Sequence, residues 1–98
     1  MTSNAKVAVV TGTSSGIGRE ISLTLARNGF LTYATMRNLN KKENIKSVAE
    51  KENLPLKIVM LDVTDDTSVK DAVKSITAEA NRIDVLVNKA GYGLYHLT

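Results

Sequence analysis

The chain has 98 residues, 43% hydrophobic and 23% charged, with 13 Lys and Arg against 10 Asp and Glu. That is one domain at most, able to bury roughly 60–68% of the surface its unfolded form exposes, and its balance excludes a disordered tail, a collagen-like fibre and a coiled coil. With no cysteine and a single histidine, His96, it has no disulfide scaffold, no thiolate metal site and no His-rich metal site.

Residues 6–11 form a β-branched apolar run that stops at Gly12, the pattern of a buried strand. Residues 17–28 read as a helix with Ile17, Ile21 and Leu25 in an i, i+4 ladder, and Asn28-Gly29 supplies its stop. Residues 31–36 give a second strand. Asn40, with Glu43 three residues on, resembles a capping box that opens a helix carrying Ile45, Val48 and Ala49 and ending before Pro55. Residues 56–61 give a third strand. The clearest helical period covers residues 65–82, where Val69, Ala72, Val73, Ile76 and Ala80 recur on one stripe that runs on to Ile83. Residues 84–87 give a fourth strand, and residues 90–98, with two glycines, read as loop.

Strands alternating with helices predict a parallel sheet with right-handed crossovers. The fold class expected is α/β, a Rossmann-like doubly wound sheet cut to about four strands in the order 3-2-1-4, with residues 1–98 forming a partial dinucleotide-binding domain. The carboxyl end of the central first strand is then the switch point where ligands bind. The fourth strand, residues 84–87, is expected to be an unpaired edge that invites self-association.

The basic residues are scattered, and Lys41-Lys42 is followed at once by Glu43, so a nucleic-acid surface is not expected. Residues 1–5 are polar and the first apolar run, Val7 to Val10, falls short of a signal-peptide core or a spanning helix. A soluble cytoplasmic protein without a membrane partner is the expectation.

The turn after the first strand reads Thr11-Gly12-Thr13-Ser14-Ser15-Gly16-Ile17-Gly18. A phosphate belongs at this place. Glycine lets the backbone approach an anion, the free N–H groups and dipole of a helix start favour negative charge, and Thr13, Ser14 and Ser15 bring hydroxyls. The spacing is G-x-x-x-G-x-G, neither the G-x-G-x-x-G fingerprint nor a P-loop. At the end of the second strand, Arg37 stands with no Asp or Glu before Glu43. An acid there would hold a ribose 2′-hydroxyl, whereas an arginine accepts a 2′-phosphate bidentately, so NADP(H) is favoured over NAD(H).

This turn resembles the T-G-x-x-x-G-x-G hallmark of the short-chain dehydrogenase/reductase family. Asp62-Val63 after the third strand and Asn88-Lys89-Ala90-Gly91 after the fourth resemble two further motifs of that family, in order, and the resemblance runs from about Lys6 to Gly93. It implies that Gly12, Ser14, Ser15 and Ile17 contact cofactor phosphate and ribose, with Thr13 in the same cradle and Gly16 and Gly18 shaping it. It implies that Asp62 accepts from the adenine amino group, that Val63 faces the ring, and that Asn88, Ala90 and Gly91 line the adenosine side. From the residues alone, Asp62 has a second reading as a helix N-cap or turn acid, and Asn88 as a strand-end turn residue. Lys89 departs from the family's usual second Asn.

The family's catalytic Ser and Tyr-x-x-x-Lys pair have no counterpart here: Tyr33 is followed four residues on by Arg37, and Tyr92 by His96. No catalytic residue is therefore assigned. The expected function is the N-terminal coenzyme-binding part of an oxidoreductase that reduces a carbonyl or oxidises an alcohol by hydride transfer. The alternative is a non-catalytic nucleotide-binding or interaction module derived from that family. A third reading, another nucleotide such as S-adenosylmethionine, is opposed by the missing acid after the second strand.

Overall fold

A computed structural model describes residues 6–13, 16–38, 40, 42–62, 64–87 and 94–96. Strand β1, Val7–Val10, is buried at every position, as a central parallel strand covered on both faces must be. It pairs in parallel with β2, Leu31–Met36, on one side and with β4, Val85–Val87, on the other. Strand β3, Leu56–Met60, pairs in parallel with the far side of β2. The four parallel strands thus stand in the order 3-2-1-4, as the alternation of elements predicts. As the edge strand, β3 is only half-buried and leaves Lys57 and Met60 exposed.

The structure adds a fifth strand. Residues Leu94–His96 form β5, antiparallel to β4 with Val85 opposite His96 and Val87 opposite Leu94. This corrects two expectations: residues 94–96 are strand rather than loop, and the outer edge of β4 is paired. Three residues are too few to display a period of two, so nothing in the sequence marked them.

Helices α1, Gly16–Arg27, and α2, Glu43–Lys51, cover one face of the sheet, where Leu23 and Ile45 pack with Ala34 and Met36 of β2. Helix α3, Asp66–Ala80, covers the other, where Ile76 packs with Val7, Val9 and Tyr33. The link from β3 to β4 runs back past β2 and β1, so a right-handed crossover puts α3 on the face opposite α1 and α2.

The helix faces differ from the predicted stripes. The buried side of α1 is Gly18, Ser22, Leu23 and Ala26, while Ile17 is 68% exposed and Ile21 and Leu25 are half-buried. Gly18, Ser22 and Ala26, four residues apart, are small, and they let the helix lie close to the strands. On α3, Ala72 and Ile76 are buried but Val73 is 44% exposed.

The start of α2 is not a capping box. Lys42 is its N-cap, already helical and without a side-chain cap bond, and Asn40 instead donates its N–H to Asn38 Oδ1. Asn40 lies two residues ahead of the cap and cannot reach it. Helix α3 is capped: Asp65 accepts from the N–H groups of Thr67 and Ser68, and left-handed Asn81 closes its end. Among the described residues no helix is long and apolar enough to cross a membrane, and no group of acidic or histidine side chains forms a metal centre.

Candidate cofactor site

Seven of the residues named from the sequence are described: Gly12, Thr13, Gly16, Ile17, Gly18, Arg37 and Asp62. All lie beyond the carboxyl ends of β1, β2 and β3, on one edge of the sheet. Ser14, Ser15, Val63, Asn88, Ala90 and Gly91, together with Lys89, lie outside the described residues.

The turn leaves β1 through Thr11, whose N–H donates to the carbonyl of Val87 at 2.9 Å and so joins the ends of β1 and β4. Gly12 and Gly16 both adopt positive φ, at 65° and 63°, where a side chain is strained. Gly18 is glycine for a different reason. A Cβ there would overlap the carbonyl oxygen of Gly12 and stand 3.2 Å from that of Thr11. The first turn of α1 is therefore pressed against the backbone of the preceding strand end. Its first N–H groups, which have no partner within the helix, lie at the switch point between β1 and β4. Ile17, in that first turn, presents its side chain to solvent.

Thr13 is directed the other way. Its side chain is wholly buried, its N–H donates to Thr35 O at 3.2 Å, and its Oγ1 donates to the same oxygen at 3.0 Å. Sequence reasoning grouped Thr13 with the cradle hydroxyls, but the fold turns it inward, onto the end of β2. No local pattern pairs residue 13 with residue 35, so this contact had no signal in the sequence.

Two residues past Thr35, Arg37 is exposed at the end of β2. The N–H of Leu61 donates to Met36 O at 3.0 Å, so Arg37 and Asp62 leave adjacent strands side by side. The Asp62 Oδ1 accepts from both the hydroxyl and the N–H of Thr64, at 2.7 and 3.0 Å. Those two bonds, and more weakly the charge of Arg37, hold its carboxyl below the ordinary aspartate range. Asp62 is thus a turn acid by geometry, and Arg37 is near enough for its charge to act on it. The actual helix cap is Asp65.

The class this defines is a doubly wound nucleotide-binding fold whose glycine turn follows its central strand. Residues 6–97 match the profile of the family described as short chain dehydrogenase, and the chain belongs to that family. It is 40% identical over 98 residues to human retinol dehydrogenase 8, covering 96% of this chain and 30% of that protein. It is 38% identical over 91 residues to a 3-oxoacyl-[acyl-carrier-protein] reductase of Salmonella typhimurium, covering 93% and 36%. Among solved structures it resembles an actinorhodin polyketide ketoreductase crystallised with NADPH, with TM-score 0.84 and 27% identity over 93% of this chain and 35% of that one. The chain therefore spans about a third of the length of the curated relatives it matches.

Proposed function

We propose that this chain forms the coenzyme-binding part of an oxidoreductase that moves hydride between NADP(H) and a carbonyl or alcohol. The observation that carries the reading is the turn from Gly12 to Gly18: two positive-φ glycines and a third with no room for a Cβ, opening α1 at the switch point. That backbone fits a pyrophosphate, because glycine at positions 12 and 16 lets an anion approach the backbone closely and Gly18 seats the helix start against the strand end. The ketoreductase crystallised with NADPH supports the same reading.

Each residue then has a task. The N–H groups at the start of α1 hold the phosphates, and Ile17 covers them on the solvent side. Arg37 takes the 2′-phosphate through paired N–H donors, and no carboxylate of β2 opposes it. Asp62, kept ionised, accepts from the adenine amino group through the oxygen that Thr64 leaves open. Ser14, Ser15, Val63, Asn88, Ala90 and Gly91 complete the adenosine and phosphate contacts in this reading. The nicotinamide, when bound, supplies or accepts the hydride.

Titration calorimetry with NADP⁺ and NAD⁺, on this chain and on Arg37→Ala, tests the proposal. NADP⁺ is expected to bind more tightly, and Arg37→Ala to weaken NADP⁺ alone by roughly 10- to 100-fold, the value of one charge-assisted bond. Equal affinities for the two cofactors, unchanged in the variant, would sink it.

A further inference from the structure

We infer that Thr13 is a positioning residue for the 2′-phosphate: it fixes Arg37 in place by tying the phosphate turn to the end of β2. The inference rests on the NADP reading above. Three hydrogen bonds carry it. The N–H and the hydroxyl of Thr13 both donate to the carbonyl of Thr35, at 3.2 and 3.0 Å, occupying both of its lone pairs. The hydroxyl of Thr35 in turn donates to Val10 O at 2.9 Å, at the end of β1. All three groups are buried, where no water competes.

The position of this clip gives it a role beyond packing. Thr13 directly follows Gly12, in the turn that receives the pyrophosphate. Thr35 stands two residues before Arg37, which directly follows the last residue of β2. On the other flank, Leu61 N–H holds Met36 O at 3.0 Å. The β2 end is therefore gripped from both sides just before the guanidinium. A dinucleotide phosphate carries its pyrophosphate and its 2′-phosphate on one adenosine ribose, so their separation is confined to a limited range. The clip holds the turn and the β2 end at one distance from each other. Without it, Arg37 stays charged and exposed but is no longer held at that distance, and preorganisation is lost.

The test is a set of affinities for NADP⁺ and NAD⁺ on the unaltered chain, Thr13→Val, Thr13→Ser and Arg37→Ala, with melting temperatures alongside. Thr13→Val keeps the volume and removes only the hydroxyl. It is expected to cut the NADP⁺-over-NAD⁺ preference about three- to tenfold, as losing one hydrogen bond does, with NAD⁺ binding nearly unchanged. Thr13→Ser, which retains the donor, is expected to restore the preference. If Thr13→Val does not fold, Thr13→Ala provides the same comparison against Thr13→Ser. Equal weakening of both cofactors, with the preference intact, overturns the inference while leaving the NADP reading standing. A chain without preference, or one whose preference survives Arg37→Ala, overturns the NADP reading and this inference with it.

Discussion

Gly16 and Gly18 stand two residues apart and are glycine for unrelated reasons, which substitution separates. An added Cβ at Gly16 meets nothing, but the residue sits at φ 63°, so Gly16→Ala costs only left-handed strain, roughly 1–2 kcal/mol. At Gly18 the obstacle is backbone: the new atom would overlap Gly12 O and stand 2.9 Å from its carbonyl carbon. A carbonyl cannot change rotamer to yield, so α1 must lift from the turn. Gly18→Ala is therefore expected to cost at least the upper end of the roughly 1–3 kcal/mol typical of overpacking, and to abolish nucleotide binding. Urea unfolding of the two variants measures the difference, and a Gly18→Ala chain as stable as the unaltered one would contradict this packing.

At the scale of elements, α3 is fastened to the sheet by a polar clamp as well as by Ile76. The Tyr33 hydroxyl of β2 donates to Glu79 Oε1 at 2.6 Å, and Lys57 Nζ of β3 reaches the same oxygen at 2.6 Å. Burial, then the bond to Glu79 and its negative charge, push Tyr33 up to about 12. The bonds from Lys57 and Tyr33 hold Glu79 below the ordinary range. The signs follow from linkage. Tyr33, raised in the fold, contributes stability that is complete below its unfolded value near 10 and is lost as pH climbs toward 12. Glu79, lowered in the fold, contributes stability that is present above its unfolded value and is lost as pH falls through its folded one. Tyr33→Phe is expected to lower stability by on the order of 1 kcal/mol at neutral pH and to shrink the loss between pH 10 and 12. Thermal melts across pH measure both, and an unchanged alkaline limb in Tyr33→Phe would show that the clamp contributes nothing.

Across the whole molecule, the described cofactor residues gather at one sheet edge, while Tyr33 is turned toward α3 instead. Hydride delivery to a carbonyl leaves an alkoxide that needs a donor tuned toward neutrality. Tyr33 cannot serve. It is buried beneath the sheet, bonded to Glu79, and shifted away from neutrality. Its i+4 neighbour, Arg37, lies past the end of the same strand rather than on a shared helix face. The 98-residue chain is thus expected to bind NADP(H) yet oxidise NADPH no faster than background with aldehydes, ketones or quinones. Losing general acid catalysis alone removes about 10²–10⁴-fold. Absorbance of NADPH over time reads this directly, and turnover near the enzyme median of about 10 s⁻¹ would require a proton donor outside the described residues.

The seven elements from β1 to β4, their parallel topology and the glycine turn were legible in the sequence. Those follow from local signals: β-branched runs, the helical period, and three glycines at fixed spacing after a buried strand. The sequence also carries the expectation of NADP(H), since Arg37 without a neighbouring acid is legible from the strand end alone. Which face of α1 is buried was decided only in three dimensions. Close approach to the sheet selects Gly18, Ser22 and Ala26, and leaves the larger Ile17 outside, so apolarity alone pointed to the wrong stripe. The pairing of β5 with β4, the Thr13–Thr35 clip and the Tyr33–Glu79–Lys57 clamp were likewise decided by tertiary structure. Except in β5, whose three residues are too short to carry a period, each joins residues 22 to 46 positions apart. Hydrogen bonds over such separations leave no periodic mark on a single chain, because their partners meet only once the sheet has brought the strand ends together.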